Sequence, residues 1–384
     1  MSAPLAGIRI IDVTQYVAGP YATLVFADLG ADVVKIERPG GDVYRRQGPV
    51  FLEGESASFL TLNRGKRSVV LDLRTEADRE IFHSLLADAD VLVENAKPGT
   101  MAQFGLGWES VHARHPSLVY LSISGFGQDG PDAELGGYDL TIQALSGLMA
   151  MTGHPNQSPA KIPVAALDFG TGLYGVIGVL AALRERDRTG LGAWVTTSIL
   201  ESALAWLSMH IMTFQISGEE PGPLGSRSPF FAPYEAYEAS DGFIVIVGTG
   251  GSDAWGSLCR VLGIEQLVTD PRFQTNGDRV ANAESLRLEI ERVLRTRTRA
   301  EWAVDLDAAG VPNALVQHLP DVLASAQVEA MGIVGTVEHP VAGTVPIVRL
   351  PVRISGLETT TTIPPPLLDA DGSALRGERS DDDC

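Results

Sequence analysis

Basic residues, cysteine and long apolar runs are all scarce in this 384-residue chain, and each scarcity excludes a class of protein. Its 29 Lys and Arg face 48 Asp and Glu, so the net charge of −19 argues against a nucleic-acid partner. Two cysteines, Cys259 and Cys384, cannot build a disulfide framework, and they favour a reducing, cytoplasmic compartment. No cysteine and histidine spacing resembles a zinc site, so we expect no metal.

Targeting and membrane signals are missing as well. The N-terminus lacks the basic segment and apolar core that mark a signal peptide. The longest apolar stretches contain glycine or polar residues, which is typical of a core helix and not of a membrane span. We therefore expect a soluble protein with no membrane partner.

The chain is long enough for two domains, and its patterns change partway along. In residues 1–216 strand patterns alternate with helix patterns, which predicts βαβ units and a mainly parallel sheet. A stretch dense in Gly, Pro and Ser follows at 217–233. Residues 226–330 then read as a smaller α+β domain that begins with a hairpin turning at Ser240 and Asp241. The chain becomes extended after Gly335 and ends in a polar tail without regular structure.

One carboxylate, Asp168, stands at a junction between an apolar segment and a long apolar helix pattern. The glycines that follow it, Gly170 and Gly172, predict a turn before a helix over 172–186. A carboxylate in this place suits two roles, the N-cap of the helix or a nucleophile at the mouth of a site. The position alone leaves both open.

Three cations, Arg38, Arg74 and Lys97, each follow a predicted strand. The carboxyl ends of parallel strands form the ligand-binding edge of an open α/β sheet. The three residues therefore fit either solvated turns or a polyphosphate site.

A weak dinucleotide signal lies at Gly125–Gly130, which matches GxGxxG after a strand pattern. That motif binds a pyrophosphate only where a helix begins at once. The segment 131–137 that follows here is a poor helix start, which favours a plain loop.

Taken together, the order and spacing of these motifs resemble one family, the class III CoA-transferases of the CaiB/BaiF type. This group includes formyl-CoA transferase, carnitine CoA-transferase and the α-methylacyl-CoA racemases. The segments that carry the resemblance are 5–23, 29–42, 63–73, 90–106, 122–131, 136–147 and 165–183.

The resemblance implies an α/β fold and an acyl-CoA:carboxylate CoA-transferase activity. It implies a large Rossmann-like domain, built from 1–216 and from a return of the chain at 335–384, and a small α+β domain at 226–330. It also implies an interlocked homodimer. The partners would be an acyl-CoA donor and a carboxylic acid acceptor, with CoA as substrate and no tightly bound cofactor.

The resemblance also assigns residues. Asp168 corresponds to the nucleophile that forms an aspartyl anhydride and then an aspartyl-CoA thioester. The positions that correspond to CoA contacts are Gln15, Val17, Ala18, Arg38, Leu71, Asp72, Leu73, Arg74, Asn95, Ala96, Lys97, Tyr138 and Asp139. Gln103 stands in the same set where many relatives carry arginine, so one cationic contact is missing. The glycine-rich loop of formyl-CoA transferase has no clear counterpart, although Gly248–Gly251 is similar in kind.

Two other functions stay open at this stage. Racemases of this family place a histidine where this chain has Tyr138, whose usual pKa near 10 suits a proton shuttle poorly, so transfer is favoured over racemisation. A non-catalytic CoA-binding protein is the second alternative. The sequence does not identify the two acids, although Arg227 in the small domain is a candidate partner for a substrate carboxylate.

Overall fold

The computed structural model describes residues 3–249 and 253–377, and this part of the chain contains thirteen strands and seventeen α-helices. The strands are β1 (Arg9–Asp12), β2 (Asp32–Glu37), β3 (Phe51–Leu52), β4 (Glu55–Ser56), β5 (Lys66–Val70), β6 (Val91–Glu94), β7 (Val119–Ser124), β8 (Trp194–Ser198), β9 (Tyr234–Ala239), β10 (Gly242–Val247), β11 (Asn313–Leu315), β12 (Val334–His339) and β13 (Gly343–Val348). The helices are α1 (Ala18–Asp28), α2 (Ala57–Leu62), α3 (Glu76–Ala87), α4 (Thr100–Gln103), α5 (Trp108–Arg114), α6 (Asp139–Leu145), α7 (Leu148–Met151), α8 (Ala166–Thr189), α9 (Ile199–Trp206), α10 (Ser208–Ser217), α11 (Ala254–Leu262), α12 (Asn276–Ala281), α13 (Ala283–Leu294), α14 (Arg299–Ala308), α15 (Leu319–Leu323), α16 (Ala326–Met331) and α17 (Gly372–Arg376).

The chain divides into two compact units. The larger unit contains residues 3–148, 161–219 and 329–377. The smaller unit contains residues 149–160 and the described part of 220–328.

A six-stranded parallel sheet forms the centre of the larger unit, in the order β5-β2-β1-β6-β7-β8. The order reverses at β1, where Ile11 pairs with Val34 on one side and with Leu92 on the other. The connections that leave β1 and β6 therefore diverge and open a crevice at the carboxyl ends of the strands. The predicted α/β class with a large parallel sheet is confirmed.

Helices cover both faces of this sheet, which is why its strands read as apolar runs. Ile10 of β1 packs on the face that carries α1 and α8. Ile11, the next residue, packs on the opposite face with Phe82 and Leu86 of α3. Successive side chains of a strand point to opposite faces, so one short strand contributes to two cores.

The helix that carries Asp168 begins earlier than its sequence predicts. It starts at Ala166, so Asp168 lies in its first turn and the predicted turn at Gly170 and Gly172 is wrong. Both glycines serve close packing inside the helix. A Cβ on Gly172 would lie 2.7 Å from the Ala18 carbonyl oxygen of α1, so only glycine lets the two helices approach this closely.

By length and composition alone, α8 is apolar enough to cross a membrane, and α9 with α10 would pass the same test as one bent span. Half of the 18-residue apolar stretch of α8 is buried inside the protein. One or two such helices are weak evidence for a membrane span, because the core helix of a soluble protein has the same composition.

The smaller unit contains an antiparallel sheet in the order β11-β10-β9. Ala239 pairs with Gly242 across Ser240 and Asp241, which confirms the predicted hairpin. The sheet packs against α11, α13 and α14 around a core that includes Tyr237 and Leu258.

The polar tail is docked up to Gly377, so the prediction that it lacks regular structure is wrong for this stretch. The Ser68 amide of β5 donates to Asp371 Oδ2 at 2.9 Å, and the Val70 amide donates to Asp369 Oδ1 at 2.7 Å. These contacts occupy donors along the edge strand of the sheet, which would otherwise stay unpaired. Residues 378–384, with Cys384, lie outside the described residues.

Candidate active site

Two adjoining cavities lie at the carboxyl ends of the parallel strands, and they share Val13, Gln15 and Ala96 in their walls. The first has a volume of about 460 Å³ and is bounded by the segments that follow β1, β2, β5 and β6. The second has a volume of about 370 Å³ and is bounded by the segments that follow β1, β6 and β7 and by the start of α8. Both lie at the switch point of the sheet, where open α/β sheets bind their ligands.

Most of the residues assigned from the sequence line these cavities. Those in the first are Gln15, Arg38, Leu71, Asp72, Leu73, Arg74 and Ala96. Those in the second are Gln15, Val17, Ala18, Asn95, Ala96, Lys97, Tyr138 and Asp168. Gln103 is exposed on α4, and Asp139 is buried on α6. Neither side chain belongs to the lining of either cavity.

The structure adds residues that sequence reasoning missed. Arg46 lines the first cavity together with Arg38. The sequence feature that could have indicated it is the arginine pair Arg45-Arg46, which follows two glycines after β2. Thr100, Met101 and Phe104 close the far side of this cavity from the α4 region. Apolar side chains around cations suit a ligand with both a flat ring and phosphates.

Buried charges lie beneath the loop that follows β1. Lys66 Nζ is 3.0 Å from Asp12 Oδ2, and Lys35 Nζ is 2.8 Å from Asp42 Oδ2. Burial opposes ionisation of Asp12, but the charges of Lys66 and Lys35 prevail and lower its pKa to about 2. Burial lowers the pKa of Lys66 to about 8 against the opposing charge of Asp12. Asp12 and Lys66 therefore form a buried ion pair that fixes the floor of the site.

Asp139 caps the helix that carries Asp168. Its Oδ2 accepts hydrogen bonds from the Leu167 amide at 2.8 Å and the Asp168 amide at 3.3 Å. Its Oδ1 accepts from Gln143 Nε2 at 2.5 Å. The capping role that the sequence left open for Asp168 therefore belongs to Asp139.

The Asp168 carboxylate is left unengaged. Among the described residues, no hydrogen bond or ion pair engages its oxygens, and the residue lines the second cavity. Burial, with a smaller contribution from the negative charge of Asp139, raises the pKa of Asp168 to about 7. A carboxylate that is poorly solvated and unpaired is a stronger nucleophile than one in water.

The side chain of Asn95 is hydrogen-bonded to the neighbouring loop. Its Oδ1 accepts from the Gln15 amide at 2.9 Å, and its Nδ2 donates to the Gln15 carbonyl at 2.7 Å. Glu94, directly before it, is buried, and burial raises its pKa to about 7. Asn95 thus joins the segments that follow β1 and β6 at the switch point.

The segment Gly125–Gly130 is a loop, as its sequence favours. No helix begins until Asp139, so the dinucleotide geometry is not formed. Gly125 lies against Gly137, and a Cβ added to Gly125 would lie 2.6 Å from the Cα of Gly137. These glycines therefore let two backbone segments pass each other at the rim of the second cavity.

Arg227 lies in the smaller unit, where its Nη1 is 3.8 Å from Glu284 Oε2. Gly250 and Gly251 of the Gly248–Gly251 segment fall outside the described residues. Within those residues, no group of three or more His, Cys, Asp or Glu converges as metal ligands would.

Comparison with known proteins gives a consistent result over nearly the whole chain. The model of CoA-transferase family III matches residues 5–372. The chain is 38% identical over 378 residues to an acetyl-CoA:oxalate CoA-transferase of Acetobacter aceti, covering 98% of this chain and 95% of that protein. It is 36% identical over 366 residues to a succinyl-CoA:glutarate CoA-transferase of Mus musculus, covering 95% of this chain and 84% of that protein.

A solved structure agrees. A CaiB/BaiF family protein from Brucella suis superposes with a TM-score of 0.85 at 38% identity, covering 98% of this chain and all of the other. With the parallel sheet, the two cavities and the unengaged aspartate in place, the chain belongs to the class III CoA-transferases and is an enzyme of that family.

Proposed function

We propose that this enzyme moves CoA between two carboxylic acids, with Asp168 as the nucleophile. The observation that carries the proposal is the half-buried, unengaged Asp168 carboxylate in a cavity that adjoins a second, cation-lined one. A bound thioester that spans both cavities has its reactive carbon beside Asp168. Positioning of this kind supplies much of the rate of an acyl transfer.

The proposed reaction balances without a metal or redox step. An Asp168 oxygen bonds to the thioester carbon of the donor, the C–S bond breaks, CoA leaves as a thiolate, and the acyl group remains on Asp168 as a mixed anhydride. The thiolate attacks the Asp168 carbonyl, releases the donor acid as a carboxylate and leaves an aspartyl-CoA thioester. The acceptor carboxylate then attacks the same carbonyl and displaces the thiolate. Attack of the thiolate on the acceptor carbonyl restores Asp168.

The first cavity is the proposed site of the nucleotide end of CoA. Arg38, Arg46 and Arg74 contribute cations to its wall. Arg74 is also held by Asp72, with 2.7 Å between Nη2 and Oδ2, so a phosphate competes with that carboxylate for it. Arg38 and Arg46 are therefore the principal phosphate contacts in this proposal.

Small dicarboxylates are the proposed acids. The names of the relatives include succinyl-CoA, glutarate, oxalate and mesaconate. Lys97 is an exposed cation in the wall of the second cavity, where it suits the distal carboxylate of a dicarboxylic acid. The site thus offers a cation for the end of the acid that does not react.

A screen with an active-site variant tests the proposal. Succinyl-CoA, acetyl-CoA and oxalyl-CoA are each incubated with a panel of mono- and dicarboxylic acids, and new thioesters are read by mass spectrometry. We expect transfer by the wild type, loss of at least about 10³-fold in D168A, and an aspartyl hydroxamate at Asp168 when hydroxylamine is added during turnover. D187A, an exposed aspartate on the same helix, is the matched control and retains activity.

Two results contradict the proposal. One is full transfer by D168A. The other is solvent deuterium at the α-carbon of the acyl group without any acceptor acid, which indicates racemisation.

We also infer a homodimer for the working enzyme. The exposed large apolar side chains on α8, α9 and α10 support it, and they are Leu173, Tyr174, Ile177, Leu180, Leu204, Trp206, Met209, Ile211, Met212, Phe214 and Ile216. A monomer rarely leaves so many large apolar side chains in water. The three consecutive helices therefore offer a face that suits a second copy of the chain.

A further inference from the structure

The backbone of Tyr16 is strained at the edge of the active site. Its φ is 67°, in the left-handed region that bulky residues avoid because Cβ crowds the carbonyl. Tyr16 lines the same cavity as Asp168. A conformation of this kind persists only where the surrounding structure enforces it, and such positions cluster at functional sites.

Contacts on the preceding residues enforce this conformation. Asn95 holds Gln15 through both its amide and its carbonyl, at 2.9 and 2.7 Å. Asp12 accepts from the Thr14 amide at 2.8 Å, and Lys35 Nζ donates to the Thr14 carbonyl at 2.8 Å. The loop after β1 is therefore fixed by buried polar groups at Thr14 and by the half-buried Asn95 at Gln15, the residue before Tyr16.

The strained backbone places the Tyr16 ring between two other tyrosines. Its ring centroid lies 5.8 Å from that of Tyr44 and 6.0 Å from that of Tyr138, and both pairs meet edge to face. Aromatic rings that meet edge to face attract one another and hold each other in place, so the three rings form one continuous surface.

This surface lies close to the reactive carboxylate. Tyr138 lines the second cavity and precedes Asp139, the cap of α8. Burial and the nearby charge of Asp168 raise the pKa of Tyr44. The three rings, Tyr16, Tyr44 and Tyr138, are named here the tyrosine collar.

We propose that the tyrosine collar excludes water from the acylated and CoA-bearing forms of Asp168, with Tyr16 as the residue that positions it. The inference rests on the proposed function. Both intermediates are activated carbonyls, and water competes with the acceptor carboxylate for them. When water attacks the aspartyl-CoA thioester, the C–S bond breaks, Asp168 regains its carboxylate, the thiolate takes one proton and a second enters solution. CoA is then lost to hydrolysis.

Three variants separate ring, hydroxyl and backbone. Y16F keeps the ring and loses the hydroxyl. Y16N removes the ring but tolerates the left-handed backbone, so the fold is kept. N95D leaves the ring in place but lacks the Nδ2 donor to the Gln15 carbonyl, so the loop that holds Tyr16 is loosened.

The measurement is the ratio of hydrolysis to transfer. Succinyl-CoA is the donor and glutarate the acceptor, or whichever pair gives turnover in the screen above. Free CoA is followed with a thiol reagent and the product thioester by mass spectrometry. We expect Y16N to raise the ratio about tenfold, N95D to raise it in the same direction, and Y16F to change it less than about twofold. A purely structural defect lowers both reactions together and leaves the ratio unchanged.

The outcomes separate this inference from the proposed function. If the wild type transfers CoA and Y16N has the same ratio of hydrolysis to transfer as the wild type, the proposed role of the collar is overturned. The assignment of Asp168 as the nucleophile is not affected by that result. A ratio in Y16F equal to that in Y16N also overturns it, because the hydroxyl and not the ring would then matter. Transfer that survives in D168A overturns the proposed function itself.

Discussion

At the scale of single residues, Asp168 is defined by its difference from Asp139. Both carboxylates lie at the start of α8, yet only the Asp139 carboxylate receives the amide hydrogen bonds of the helix start. Asp168 receives no such stabilisation, and burial raises its pKa to about 7. Asp139 therefore serves as a helix cap, whereas the Asp168 carboxylate stays available to react.

Replacing Asp139 tests how this difference controls pH dependence. Asp168 attacks in its ionised form, so kcat/KM for transfer rises with pH through an apparent pKa near 7 in the wild type. In D139N the negative charge is gone while an amide oxygen still accepts from the Leu167 amide. We expect the acid limb of the profile to move to lower pH, by less than the whole shift because burial is the larger cause.

The control for this experiment is D139A, which removes the helix cap together with the charge. It is expected to lower activity at every pH measured. An acid limb in D139N that coincides with that of the wild type would show that Asp139 does not set the ionisation of Asp168.

At the scale of elements, the close approach of α1 and α8 brings Asp168 to the loop after β1. The contact depends on Gly172, whose absent side chain leaves room for the Ala18 carbonyl. In G172A the methyl group would push the helices apart, because backbone atoms cannot yield as a flexible side chain does. We expect a loss of stability of about 1–3 kcal/mol and a lower kcat/KM, measured by urea unfolding and by the transfer assay.

A matched control is available in G222A, since nothing lies within 4 Å of a Cβ added there. Its stability is expected to stay within about 0.5 kcal/mol of the wild type. Equal stability of G172A and G222A would contradict the steric account of the α1–α8 contact.

The same elements show what the sequence can predict. Apolar runs between helix patterns identified the parallel sheet, and strand-end cations identified Arg38 and Arg74 at its ligand edge. The predicted start of α8 was wrong because the residue that caps this helix is distant in the sequence. Nothing near position 166 in the sequence reveals that Asp139 lies at its amides. Arg46 and Tyr16 were missed for a similar reason, because a loop conformation and not a periodic pattern brings each to the site.

At the scale of the whole molecule, three helices of the larger unit present large apolar side chains to solvent. Ile216 is 79% exposed and Met212 is 63% exposed, both on α10. If these side chains pack against a second copy, light scattering during size-exclusion chromatography gives twice the chain mass of 40.8 kDa. A wild-type monomer would contradict the inferred dimer.

Charge substitutions on α10 locate the interface. We expect M212D/I216D to lose the dimer, because two carboxylates cannot be buried between apolar faces without a partner. V304D on α14 is the control, since Val304 is similarly exposed at 68% but belongs to the smaller unit and not to α8, α9 or α10. It should remain dimeric with an unchanged melting temperature.

The way in which the dimer is lost distinguishes interlocked chains from separable subunits. The family resemblance implies interlocked chains, and such chains separate only when they unfold. The wild-type melting temperature should then rise with protein concentration while dilution over about three orders of magnitude yields no folded monomer. M212D/I216D should melt at a lower temperature instead of forming a stable monomer, because an obligate interface supplies part of the folding free energy. A folded, active monomer of that variant would show that the two chains meet as separable subunits.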